Sequence, residues 1–160
     1  MNRFLRIILF FSFILAGTHA FGQSGIDRNS FFNAMSSNSV RLMDAQLSAL
    51  KNQSGRDKEA FEGAMLMRKS GTLTVPAKKL AMFKQGHKKL EGAIGSNPGN
   101  IEYRFLRLMV QENAPRSLGY YKNIDQDSKW VKDNYKSLSA PIQQSVMSYS
   151  RKSKALAGAF

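Results

Sequence analysis

A chain of 160 residues with 24 lysines and arginines, 11 acids, a net charge of +13 and no cysteine is long enough to bury one core without staples. The missing cysteines exclude disulfides, thiolate metal sites and a cysteine-anchored lipoprotein. The charge points to anionic partners, such as lipid head groups, envelope polysaccharide or an acidic protein, and equally to simple solubility.

Residues 1–20 read as a cleaved signal peptide. Arg3 and Arg6 give a positive start, Ile7 to Ala16 is apolar apart from Ser12, and Thr18-His19-Ala20 offers a small-x-small site, with cleavage expected after Ala20. A membrane span needs about 20 apolar residues, roughly twice this run. The leader holds two of the 24 basic residues and no acid, so cleavage lowers the charge from +13 to +11. A periplasmic or secreted location follows, which makes nucleic acid an unexpected partner for a basic chain.

Residues 21–28, with Gly22, Ser24 and Gly25, are expected to be a flexible N-terminus, leaving 29–160 as one helical domain. A short helix after Asn29 carries Phe31, Phe32 and Met35. The Ser36-Ser37-Asn38-Ser39 cluster breaks it and caps the next helix, in which Val40, Met43, Leu47 and Leu50 recur on one face. A third helix, about Arg56 to Lys69, buries Ala60, Phe61, Ala64 and Met65, and Gly71 is expected to end it as a left-handed cap. Thr72 to Pro76 is an extended connection. The fourth helix, about Ala77 to Ile94, places Leu80, Phe83, His87, Leu90 and Ile94 on one stripe.

After the turn Ser96 to Asn100, a helix from Ile101 is apolar over most of its circumference and should organise the core. Asn113-Ala114-Pro115 stops it. A sixth helix starts near Asn123 or Asp125, with Ile124, Val131, Tyr135 and Leu138 inward and Trp130 at the edge. Ser139 caps the last helix, whose stripe is Ile142, Val146, Tyr149 and Leu156. No segment shows sustained strand alternation, so the class is all-α with six or seven helices in antiparallel hairpins.

Gly86, Leu90, Ala93 and Pro98 have the small, large, small, proline spacing of the second half of a tetratricopeptide repeat, which this stretch resembles over about one repeat unit. The resemblance implies a right-handed, TPR-like array and a ligand-facing set on the helix from Ile101, namely Glu102, Phe105, Met109, Glu112 and Asn113. Taken whole, the chain also resembles exported proteins of Bacteroidetes-type bacteria with similar stretches at Asn97-Pro98, Glu102 to Leu108 and Gln111 to Pro115. That likeness implies an envelope or secreted location and no activity.

Candidate chemistry is sparse. His87 is the one histidine outside the leader, and acid–base work needs a second positioned group beside it. Asp57, Glu59 and Glu62 could form paired carboxylates, but they fall in the first turns of a helix, where they suit the dipole and can pair with Arg56 or Lys58. Asp125 and Asp127 lack the ligand count of a calcium loop. No nucleophile elbow or phosphate-cradling glycine loop occurs. No metal, cofactor or catalytic residue is therefore expected. Arg104, Arg107 and Gln111 form one polar stripe on the otherwise apolar helix. Two guanidinium forks suit capture of a carboxylate or phosphate, unless Glu112, Glu102 or an acid from another helix neutralises them. Lys78, Lys79, Lys84, Lys88 and Lys89 are the best basic patch.

The leading expectation is an exported, non-enzymatic adaptor or scaffold that presents a helical groove to an envelope protein or peptide. Electrostatic binding of anionic lipid or polysaccharide is the alternative, and a small hydrolase built on His87 is the third.

Overall fold

The computed structural model describes residues 25–160. The expected signal peptide, its cleavage point and residues 21–24 lie outside the described residues. Among the described residues there are seven α-helices and no strand: α1 (Arg28–Ser36), α2 (Val40–Lys51), α3 (Asp57–Ser70), α4 (Pro76–Ser96), α5 (Ile101–Asn113), α6 (Ile124–Asn134) and α7 (Ala140–Ser150). Single 3-10 turns, Arg116–Leu118 and Tyr135–Ser137, precede α6 and α7. The all-α class read from the sequence is the class observed.

Local chemistry sets most helix starts. The Asp27 carboxylate accepts from the Ser30 amide at 3.2 Å, the Ser39 hydroxyl from Leu42 at 3.3 Å and the Asn100 side chain from Tyr103 at 3.0 Å, each satisfying an amide that the first turn leaves free. Asp27 and Arg28 therefore belong to α1 rather than to a flexible leader, and Ile26 already packs on the core. Pro76 opens α4, where its missing N–H costs nothing. Gly71 departs from expectation: its φ of −60° is right-handed, and α3 ends instead with the Thr72 hydroxyl donating to the Lys69 carbonyl at 2.8 Å. Ser139 sits at the start of α7 without a capping side-chain bond.

The closest helix pair is α3 and α4. A Cβ built on Gly86 would lie 2.5 Å from the Gly63 carbonyl oxygen, and one built on Gly63 would lie 2.6 Å from the Leu90 amide nitrogen. Two facing glycines thus let the two backbones touch, which larger side chains prevent. Behind this pair α5 is buried continuously from Glu102 to Gln111. An aromatic series fastens it: Phe31 meets Phe61 at 4.6 Å, Phe32 meets Phe105 at 5.4 Å, and Phe105 meets Tyr149 at 5.8 Å. These contacts join α1, α3, α5 and α7, and α7 packs directly on α1. In a stack whose units touch only their neighbours the first and last helices stay apart; here they meet.

Two inward assignments on α4 change. Its buried arc is Phe83, Gly86, Leu90 and Ile94, and at 3.6 residues per turn Leu80 and His87 fall just past one edge of it. Both are exposed, Leu80 to 42%. The last helix ends at Ser150, so Leu156 reaches the core from a non-helical tail. Glu112 holds that tail, accepting from the Ser153 hydroxyl at 2.6 Å and the Ala155 amide at 3.0 Å.

Candidate functional site

The polar stripe of α5 is where the sequence points first. Arg104, Arg107 and Gln111 share one face at helical spacing, and that face meets the first turn of α6. There Asp127, with no exposed surface, sits between both arginines. Arg107 donates to it from Nε at 2.6 Å and Nη2 at 2.8 Å, and Arg104 donates from Nη1 at 2.9 Å. Other fork positions are used as well. Arg107 Nη1 reaches Glu91 at 2.9 Å, Arg104 Nε donates to the Pro98 carbonyl at 2.8 Å, and the Arg104 guanidinium stacks over Trp130 at 4.7 Å.

Of the two alternatives that the sequence leaves, ligand capture or neutralisation by an acid, the forks take the second, engaged from within by a carboxylate of another helix. A buried arginine needs a compensating acid to be tolerated at all. Burial disfavours the charged form of Arg107, but Asp127 and Glu91 more than offset this, so its pKa lies above the ordinary arginine value. Gln111 is buried as well, with one long contact of 3.5 Å from its amide nitrogen to Asn123 and no partner for its oxygen among the described residues. Asp127 is the residue that sequence reasoning missed. Its local signal, an acid in a helix's first turn, is the same as that of any surface acid there.

The alternative face of α5 is closed over most of its length and opens at its end, where Asn113 is exposed. Phe105 and Met109 lie in the core, and Glu112 anchors the C-terminal tail. Asn113 bridges the Met109 carbonyl and the Tyr149 hydroxyl at 2.7 and 3.1 Å. Glu102 joins a second polar cluster at the base of α1 and α3. Arg28 donates to Asp57 at 2.5 Å and to both Glu102 oxygens at 3.2 Å, and the Tyr103 hydroxyl donates to Asp57 at 2.8 Å. One cation thus serves two carboxylates. Burial raises the Glu102 pKa, and Arg28 only partly opposes it. Burial, then the bond to Asp57, likewise raises the Tyr103 hydroxyl.

A pH dependence follows from Glu102. A raised carboxyl pKa favours the protonated folded state, so its contribution to stability is fully present below the ordinary glutamate value of 4.5 and is lost as pH rises through the higher folded value. Glu102→Gln removes this titration. In urea unfolding, the difference between wild type and Glu102→Gln should shift towards the wild type as pH falls from neutral to 4.5. A difference that stays constant with pH contradicts the assignment.

The acid–base candidates do not converge. His87 is exposed and lies edge-on to Tyr120 at 4.9 Å, with no hydrogen-bond partner among the described residues. Glu91, one turn further on, shares a cleft with it, but both its oxygens are engaged, one by Arg107 and one by the Tyr120 hydroxyl at 2.5 Å. Asp57, Glu59 and Glu62 pair across helices rather than with Arg56 or Lys58: Asp57 takes Arg28, and Lys89 bridges Glu59 and Glu62 at 2.8 and 3.2 Å. Among the described residues no group of three or more histidines, cysteines or acids could hold a metal ion.

Lys89 therefore drops out of the free basic patch, while Lys78, Lys79, Lys84 and Lys88 stay exposed without an ion pair among the described residues. Of all the lysines, Lys69, Lys89 and Lys129 alone meet a carboxylate among the described residues. Asp125 is the one acid whose side chain has no partner there. Internal ion pairs thus take up eight of the eleven acids and leave the positive surplus on the surface. No family model matches the chain, and no curated protein or solved structure matches it either.

One opening lies at the end of α5, where Val110 and Asn113 face the start of α4. A groove of about 620 Å³ runs between the start of α4 and the turn after α5, with Phe83 and Val110 on its floor. Leu80 and Leu118, exposed to 42% and 37%, both line it. Among the described residues no helix is long and apolar enough to cross a membrane.

Proposed function

We propose that the chain is an exported, non-enzymatic helical interaction protein, an adaptor or scaffold that presents a groove to an envelope protein or peptide. The observation that carries this reading is that Leu80 of α4 and Leu118 of the turn after α5, both exposed, line one groove. Large apolar side chains left in water along a trough favour a partner that covers them. The frame around the groove is stiff, since α3 and α4 touch through glycine and α5 is locked by the Asp127 network, so little ordering opposes binding. The repeat-like spacing of Gly86, Leu90, Ala93 and Pro98 supports a TPR-like hairpin in α3 and α4, and the leader residues support a periplasmic or secreted location. The engaged state of Glu91 beside His87 supports a role without acid–base chemistry.

The surplus of unpaired surface lysines favours a second reading, electrostatic attachment to anionic lipid or polysaccharide. Salt separates the two. A complex held by apolar burial should survive the fall in screening length from about 10 Å at 0.1 M to about 3 Å at 1 M salt, whereas binding to phosphatidylglycerol vesicles or dextran sulfate should collapse over that range. If the protein binds these polyanions and its binding to them does not respond to salt, the electrostatic reading fails. If every complex it forms dissolves by 1 M salt, the groove reading fails.

A further inference from the structure

The charge around the groove narrows the occupant. No carboxylate lines it, while Lys79 and Arg68 do. Arg68 uses Nε and Nη2 on neutral oxygens of Met35, Ser37 and Asn38, at 2.6 to 2.9 Å, so among the described residues its charge meets no acid. Lys78 and Lys79 stand in the first turn of α4, which has neither an acid nor a capping side chain. Cations there oppose the helix dipole, and the end of α4 nearest the groove combines two like-signed fields. The contrast with α3 is direct, for it carries Asp57 and Glu59 in its first turn and Arg68 and Lys69 in its last, each on its favourable end.

We propose that the groove binds an acidic amphipathic segment of a partner protein. Its apolar side chains would cover Leu80, Phe83 and Leu118, and its carboxylates would meet Lys79 and Arg68. This inference rests on the interaction reading above and adds the site and the partner's chemistry. Carboxylates from a partner complete the pairing that the fold leaves open on this side, and the apolar side chains lining the groove explain why a freely hydrated polyanion is a poorer match. Helix-in-groove recognition of this kind reads a few apolar anchors for affinity and flanking charge for orientation.

The test selects peptides from a random displayed library on the full chain, then measures labelled synthetic copies by fluorescence anisotropy. Enriched peptides should combine leucine-like anchors with glutamate or aspartate. Leu80→Ser and Leu118→Ser, on separate elements, should each weaken binding by about tenfold or more, the effect of uncovering one large apolar side chain. Lys79→Glu should also weaken binding, and a Lys132→Glu control on α6 should not. Unchanged circular dichroism melts for these exposed positions establish that the fold is intact. Enrichment of basic peptides overturns the proposal, as does binding that ignores Leu80, Leu118 and Lys79; in both cases the wider interaction reading stands. A library that yields no binder overturns both. Phosphatidylglycerol vesicles that bind with the same dependence on Leu80 and Lys79, where no peptide does, assign the groove to a membrane surface and overturn the proposal.

Discussion

Asp127→Ala is expected to lower unfolding stability by about 3–5 kcal/mol, the typical cost of removing one partner from a buried ion pair. Here one carboxylate compensates the guanidinium groups of two arginines that are 8% and 5% exposed as residues. Glu91 still reaches Arg107 after the change, so Arg104, left with the Pro98 carbonyl and the face of Trp130, suffers more. A domain stable by about 5–15 kcal/mol loses a large part of its margin in this way. Asp127→Asn should fall between the two states, because an amide keeps one acceptor oxygen and no charge. Replacing the three buried charges with Asp127→Leu, Arg104→Met and Arg107→Met should recover part of the loss, since apolar packing removes them together and only the part-exposed Glu91 loses its cation. Urea unfolding measures all three. A cost for Asp127→Ala below about 1 kcal/mol, the scale of an exposed pair, would mean that the arginines do not depend on Asp127 and could serve a ligand after all.

The second large effect lies at the α3–α4 crossing. Alanine at an exposed helix-interior glycine normally stabilises by about 1 kcal/mol. At Gly92 nothing lies within 4 Å of an added Cβ, so Gly92→Ala should raise the melting temperature by roughly 2–4 °C. At Gly86, in the same helix, the added atom would stand 2.5 Å from the Gly63 carbonyl oxygen and 2.9 Å from the Met67 amide nitrogen, and backbone cannot swing aside as a side chain can. Overpacking of this kind costs about 1–3 kcal/mol or more, enough to reverse the sign. Gly86→Ala should thus melt several degrees lower, and Gly86→Val lower still. Equal, positive shifts at Gly86 and Gly92 would show that the two helices can move apart freely.

The contrast between legible and illegible parts of this molecule follows the range of the forces involved. The starts of α2 and α5 were legible because Ser39 and Asn100 act within three residues, and the inward face of α2 in part, because Met43 and Leu50 repeat at helical spacing while Val40 at its start is exposed. The central place of α5 was legible because its apolar residues, from Ile101 to Val110, fall on most sides of the helix. The fate of Arg104 and Arg107 was not, because their acid lies on another helix and its local pattern matches that of a surface capping acid. Leu80 and His87 were misplaced because a stripe in sequence gives a direction and no width, and the buried arc of α4 is narrower than the stripe. The groove was invisible for a related reason: Leu80 and Leu118 are far apart in the chain, and only the packing of α4 against the end of α5 puts them on the same trough. The small residue at 86 was singled out through repeat spacing, but the partner glycine at 63 that gives it meaning was not.

The division of labour between acids and lysines bears on how this sequence can drift. Asp57, Glu91, Glu102, Glu112 and Asp127 each join segments distant in the chain, so losing any one of them opens a seam between helices. Lys84, Lys88, Lys122 and Lys132 hold nothing together among the described residues and can be replaced with little effect on the fold. A saturation scan read out by folding should therefore be intolerant at these carboxylates and permissive at these lysines. Over longer divergence the overall charge is free to wander through its surface lysines, while these five carboxylates and the arginines they hold stay pinned by the architecture.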